Sequence, residues 1–291
     1  MRKLVHILAS IITRVDYILC SIGLKKPVVI VVLDGGISSQ MFNYIKGARF
    51  AVAGYDVRYD TRWFSQRGYD VDGRFARTYE LKEMFPQTDV KIISPFWARQ
   101  WYARFFKHKD ENGLVMPKDI RRTTYLGSHY KQDPEAYKIL FPKYFNEQTM
   151  APVQIPWSTE TDVIHCGVHV RRGDLAKPQP EYGMVSEHYF ENAIHFVQTK
   201  YKNVLFHFFS DEMDWVEQNI IPRVDIHYDL IKGHKAWQDL ALLSKCDVVI
   251  ASQGSFGRMA AQLRTHAELV LCKTDLIPYY TGQDTTITYV D

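Results

Sequence analysis

His169-Val170-Arg171-Arg172-Gly173-Asp174 places an imidazole, two guanidiniums and a carboxylate at the end of a largely apolar run, Val163–Val170. A guanidinium stays charged at all relevant pH and presents a rigid fork of donors that fits phosphate oxygens. Two adjacent arginines at a strand end, followed by a glycine that lets the backbone turn, make a clamp for a diphosphate. Arg171 is the expected first contact, and Arg172 either aids it or tethers the loop. Asp174 either orients the pair or, like His169, takes a proton from a hydroxyl. Left in solvent, the same residues would form a salt bridge of little worth.

Three more loops could hold an anion or a nucleotide. Asp34-Gly35-Gly36-Ile37-Ser38-Ser39-Gln40 joins an apolar run to a helical pattern, so Gly35, Gly36 and Gln40 would lie where a ligand approaches backbone N–H groups. Ser210-Asp211-Glu212 reads first as a helix cap, with Asp211 as a second-choice nucleotide contact. In Ser252-Gln253-Gly254-Ser255-Phe256-Gly257 a Gly/Ser loop opens a helix and offers hydroxyl and N–H donors, with Ser255 and Phe256 nearest the ligand. Asp70-Val71-Asp72 has a spacing that could hold a divalent ion. It follows no clear strand, and two loop carboxylates are ordinarily solvated. No metal and no cofactor are therefore expected.

These loops need a parallel sheet to bring them together. Val28–Leu33 and Val163–Val170 read as buried strands, as do Val204–Phe209, Val248–Ala251 and Leu269–Cys272. Shorter strands are expected at Asp56–Asp60, Tyr125–Ser128 and Val224–Tyr228. Helical patterns alternate with them: Met41 to about Gly54, after Pro134, Ser186 to Lys200, after Ser210-Asp211, Ala236–Cys246 and Ser255–Arg264. Strand–helix alternation of this length predicts an α/β fold with parallel sheets covered on both faces. The arginine motif and the three anion-binding loops all fall at the carboxyl ends of strands, where such sheets bind ligands. Between about Arg62 and Trp157 the pattern weakens, and Trp63, Trp97 and Trp101 could stack on sugars or fill a core. Pro152, Pro156 and the polar stretch after them place a boundary near residue 157. Domains are thus expected over 28–157 and 158–291.

The chain has 291 residues and a formal charge of +3, which gives no reason to expect nucleic acid. Cys20, Cys166, Cys246 and Cys272 form no CxxC pair and fit a reducing, cytoplasmic setting without disulfides. Residues 1–27 form a separate amphipathic helix in which Leu4, Ile7, Leu8, Ile11, Val15, Ile18 and Ile22 recur at helical spacing. Arg14 and Asp16 interrupt it too much for a bilayer span. It either packs on its own protein or lies at the inner face of a membrane as a peripheral contact.

Taken together, the loops resemble those of the α-1,2-fucosyltransferases. His169, Arg171, Arg172 and Asp174 match that family's His-x-Arg-Arg-x-Asp, and Gly35-Gly36 with Gln40-Met41-Phe42-x-Tyr44 match its glycine loop. Phe209-Ser210-Asp211 with Trp215, and Asp239-Leu240 with Ser244 and Cys246, match two further motifs. The chain departs from the family at Ser38, Ser39 and Gln253-Gly254, and at Gly257-Arg258, where an aromatic pair is replaced. These departures bear on donor sugar, acceptor and activity. The resemblance implies a GT-B-like fold of two Rossmann-like domains facing a central cleft, with the donor in the C-terminal domain. It implies inverting, metal-independent transfer of L-fucose from GDP-fucose to a galactose-ended glycan acceptor, as in surface polysaccharide synthesis. Arg171, His169 and Asp174 would be catalytic. Gly35, Gly36, Gln40, Arg171, Arg172, Asp211, Ser255 and Phe256 would hold the donor.

Overall fold

The structure, a computed structural model, describes the chain apart from residues 1, 67, 69–75, 94–104, 108–112, 128–130, 159–161, 174–184, 265–266 and 274–284, and apart from the side chains of residues 2–6. Asp70, Asp72, Trp97, Trp101 and Asp174 fall outside the described residues.

The chain divides into two compact units. The first runs from helix α1 (Arg2–Ser21) to Tyr144, and the second takes Phe145–Asp291 together with Glu83–Pro86. The boundary expected near residue 157 therefore lies some dozen residues earlier. Phe145 packs on Phe85 with ring centroids 4.6 Å apart, and Ala151 N–H donates to the Met84 carbonyl at 2.7 Å. These contacts draw 145–157 into the second unit ahead of the prolines that signalled a linker.

In the first unit β1 (Val28–Val32) is the centre of a three-stranded parallel sheet, between β2 (Asp56–Asp60) and β3 (Thr124–Leu126). Val29, Ile30 and Val31 are fully buried, as a β-branched run with both faces covered must be. Helix α2 (Ile37–Val52) begins four residues before the first position of its apolar pattern, because Gly36 already serves as its N-cap. Helix α3 (Pro134–Tyr144) packs its buried Tyr137, Leu140 and Phe141 against it.

The second unit holds six parallel strands: β4 (Ile164–Val170), β5 (Val204–Ser210), β6 (His227–Leu230), β7 (Val248–Ala251), β8 (Glu268–Cys272) and β9 (Thr286–Val290). Their order is β6-β5-β4-β7-β8-β9. The chain winds outward from β4 in one direction, then returns beside it and winds outward in the other. This places the topological switch between β4 and β7, the position where doubly wound sheets open a crevice at the carboxyl ends of their strands. On one face Val168, Val170, Phe206, Phe208 and Ile250 pack with Tyr189, Phe190 and Ile194 of helix α4 (Glu187–Lys200). Ser186 caps that helix as expected, accepting the Tyr189 N–H at 3.4 Å. Three helices follow: α5 (Met213–Asn219), α6 (Ala236–Leu243) and α7 (Ser255–Leu263).

Two further expected elements shift in the second unit and one strand is new. The strand expected at Val224–Tyr228 forms at His227–Leu230, because a 3₁₀ turn at Ile221–Arg223 delays entry into the sheet. Helix α5 starts at Met213 because Asp211 is engaged elsewhere. Edge strand β9 was not anticipated; its side chains are half exposed over only five residues.

Candidate active site at the switch of the second sheet

Strand register brings three loops together. His169 pairs with Ala251 on one side of β4, and Val170 pairs with Ser210 on the other. The chain after β4 therefore emerges between the loops that follow β5 and β7.

Both neighbours seize it. Arg171 N–H donates to Ser252 Oγ at 2.9 Å, and Arg172 N–H donates to Asp211 Oδ1 at 3.0 Å. Successive amides are pinned from opposite sides, so the two arginines part company. Arg172 lies over the Trp215 ring, its guanidinium carbon 3.7 Å from the centroid, and its Nε donates to Glu212 Oε2 at 3.2 Å. A guanidinium stacked on an indole and paired with a carboxylate is a tether. Arg171 turns to the β7 loop: a Cβ placed on Gly254 would meet its Nη1 at 3.0 Å.

Gly254 has φ +109 and ends the loop as the N-cap of α7. An L side chain would be strained there by its backbone and would crowd the Arg171 guanidinium. Close approach also fixes Gly257, where a Cβ would lie 2.5 Å from Ala251 Cβ. This lets the first turn of α7 lie directly on the end of β7. That turn has no side-chain cap and no acidic residue. Its N–H groups carry the positive end of the helix dipole, and Arg171 stands beside them. Arg258 follows in the same helix and is only 3% exposed. Ser255 opens the helix, as the sequence placed it. Charge, N–H groups and a hydroxyl thus gather at one point, the composition of an anion seat.

His169 is built into the wall. It is 8% exposed, its ring stacks on Phe256 at 4.8 Å, and its Nδ1 lies 3.3 Å from Ser252 Oγ. Ser252 Oγ, which accepts from Arg171 N–H, thus also shares a hydrogen bond with the ring. Burial, reinforced by the Arg171 charge, pushes the imidazole down to about 3. Burial and the neighbouring guanidinium thus disfavour the protonated ring, which is held between Ser252 and Phe256. Phe256, expected at the donor, presents a ring face to His169. Asp211 does not cap a helix; exposed at the loop surface, it holds the Arg172 N–H through Oδ1. Desolvation of the carboxyl raises its pKa, while the Arg172 and Gly173 amides oppose that rise. The Glu212 N–H is instead satisfied by Ser210 Oγ at 3.0 Å. Ser252 is the residue that sequence reasoning passed over. Its signal was its place, the first polar residue beyond the buried β7.

The glycine loop belongs to the first unit. There Gln40, fully buried, is saturated: Nε2 donates to the Gly35 and Thr78 carbonyls at 3.1 and 2.9 Å, and Oε1 accepts the Glu80 and Leu81 N–H groups, both at 3.0 Å. It stitches Gly35 to residues 78–81. Asn43 Nδ2 donates to Asp34 Oδ1 and Lys46 Nζ to Asn43 Oδ1, both at 3.1 Å. Burial lowers the Lys46 ammonium to about 8 despite the nearby Asp34 carboxylate.

A doubly wound sheet with two arginines at its switch is the architecture of a nucleotide-binding α/β class, and known proteins resemble the chain. The family described as glycosyl transferase family 11 matches residues 149–277, most of the C-terminal unit. An α-1,2-colitosyltransferase of Escherichia coli is 25% identical over 263 residues, 82% of this chain and 88% of that protein. Human galactoside α-(1,2)-fucosyltransferase 1 is 34% identical over 204 residues, 67% of this chain and 50% of that protein. The match thus spans half the length of the human enzyme. Among solved structures, NodZ α-1,6-fucosyltransferase soaked with GDP-fucose aligns with TM-score 0.51 and 14% identity, over 90% of this chain and 100% of that one. The likeness is one of fold, that of the GT-B glycosyltransferases.

Proposed function

We propose that the protein transfers L-fucose from GDP-fucose to a galactoside hydroxyl in α-1,2 linkage. The observation that carries this reading is the Arg171 guanidinium held beside Gly254 at the uncapped opening of α7. In breaking the glycosidic bond, the diphosphate leaving group gains negative charge. A fixed guanidinium and fixed N–H dipoles stabilise that charge without reorganising as it develops. Their placement supports a reaction that requires no divalent ion. Inversion at the anomeric carbon follows from a single in-line displacement. The acceptor hydroxyl gives up its proton as it attacks, and Asp174 is the acceptor we assign to that proton.

The test is a thermal-shift screen with GDP, UDP and CDP in EDTA, followed by transfer from GDP-fucose to a β-galactoside and determination of the product linkage by NMR. GDP alone should raise the midpoint in proportion to its occupancy. Equal response to all three nucleotides, or GDP binding without turnover, overturns the proposal. A rate lost in EDTA and restored by manganese overturns the metal-independent part. A second reading keeps the clamp and changes the sugar to colitose, favoured by the relative that the chain matches over 88% of its length. A nucleotide-linked colitose that outcompetes GDP-fucose as donor would select it.

A further inference from the structure

We propose that helix α1 docks the protein onto an anionic lipid surface through an apolar stripe that the fold leaves outside.

The helix is fastened by its opposite side. Asp16, 4% exposed, accepts the Thr123 N–H at 2.7 Å and the Thr123 hydroxyl at 3.0 Å, and pairs with Lys25. Ile12 packs beside the cluster of Ile30, Ile93, Phe106 and Tyr125. These contacts set the rotation of the helix about its axis. At 3.6 residues per turn, Ile7, Ile11, Val15 and Ile18 share about a quarter of the circumference, with Asp16 on the far side. They are 58, 54, 50 and 55% exposed, and Ile22 just beyond the helix is 62% exposed. A fold that wanted only to bury an amphipathic helix would turn this stripe inward.

Charge decides what covers it. Residues 1–26 carry Arg2, Lys3, Arg14, Lys25 and Lys26 against the single carboxylate of Asp16. That carboxylate is buried and paired, so the outward side of the segment presents no anion. Arg14 borders the stripe and is exposed, as is Lys26 beyond the helix end. An apolar strip edged by cations fits lipid tails beneath anionic headgroups. A second copy of the same surface would bring like charges together. No described helix is long and apolar enough to cross a membrane, so the contact lies in the plane of the interface.

The test is flotation of the full chain with vesicles of equimolar phosphatidylcholine and phosphatidylglycerol, against vesicles of phosphatidylcholine alone. The protein should float with the anionic vesicles and be released by high salt. Arg14→Gln with Lys26→Gln should lower the partition coefficient about 25-fold, at roughly fivefold per cation. Ile11→Gln with Ile18→Gln should abolish flotation while circular dichroism and melting midpoint stay unchanged, since neither side chain is in the core. Failure of the wild-type chain to float, or equal flotation with both vesicle types, overturns the proposal. So does a lipid-free dimer that the Ile11→Gln/Ile18→Gln variant dissolves, which would give the stripe to a second copy. None of these readouts depends on sugar transfer.

Discussion

Arg171 and Arg172 are neighbours in sequence and opposites in use. One stands at the anion seat; the other is stacked and paired. Arg171→Ala should abolish transfer and weaken GDP binding by a few kcal/mol, the scale of a lost charge-assisted donor, as read by titration calorimetry. Arg171→Lys should fail too, because a point charge does not reproduce the fork. Arg172→Ala should act through loop position. Its effect on the rate and that of Trp215→Leu should be strongly non-additive in a double-mutant cycle, since each removes the same stack. Additive losses would place Arg172 on the substrate instead. The sequence motif announced two guanidiniums at a strand end, and both are there. It could not tell them apart, because their parting depends on two amides being caught by Ser252 and Asp211, residues 81 and 39 positions away. The bonding of Gln40 was hidden for the same reason. A glutamine beside two glycines looks available until the carbonyl of Thr78 and the N–H groups of Glu80 and Leu81 close on it. Gln40→Leu should therefore lower the melting midpoint sharply, each orphaned buried group costing about 1–3 kcal/mol, while GDP affinity in the folded fraction stays unchanged.

At the scale of elements, the seat depends on how closely α7 meets β7. Gly257→Ala forces a methyl into Ala251, and the helix must lift or tilt. Gly254→Ala both strains a positive-φ position and crowds Arg171. Both variants should lose stability on the order of 1–3 kcal/mol by denaturant titration. Gly254→Ala should also lose GDP affinity beyond that, because the guanidinium is displaced. Elements buried on both faces were the most legible: β1, β4, β5 and β7 form within a residue of their apolar runs. Edges were not. β6 and β9 are half exposed and short, so burial imposes little pattern on their residues.

At the scale of the molecule, stability should depend on pH through buried imidazoles. His169 and His207 are both held at about 3 by burial, with Arg171 and His165 respectively adding to the effect. In the unfolded chain they titrate near 6.5. Below that value the unfolded state binds protons that the native state refuses, so stability is full above 6.5 and falls as pH drops towards 3. The melting midpoint should decline through this window. His207→Asn should flatten the slope by about one proton, and an unchanged slope would remove His207 from the account. The first 26 residues more than account for the chain's formal charge of +3, so the rest of the molecule carries no net positive charge to bring it to a membrane.

The indole beneath Arg172 has an optical meaning. A cation 3.7 Å from the ring centroid shifts the emission of Trp215, and any ligand that tugs the loop after β4 alters that distance. With the other five tryptophans replaced, the protein would carry its own fluorescent gauge of donor arrival, at a residue that need never touch the sugar.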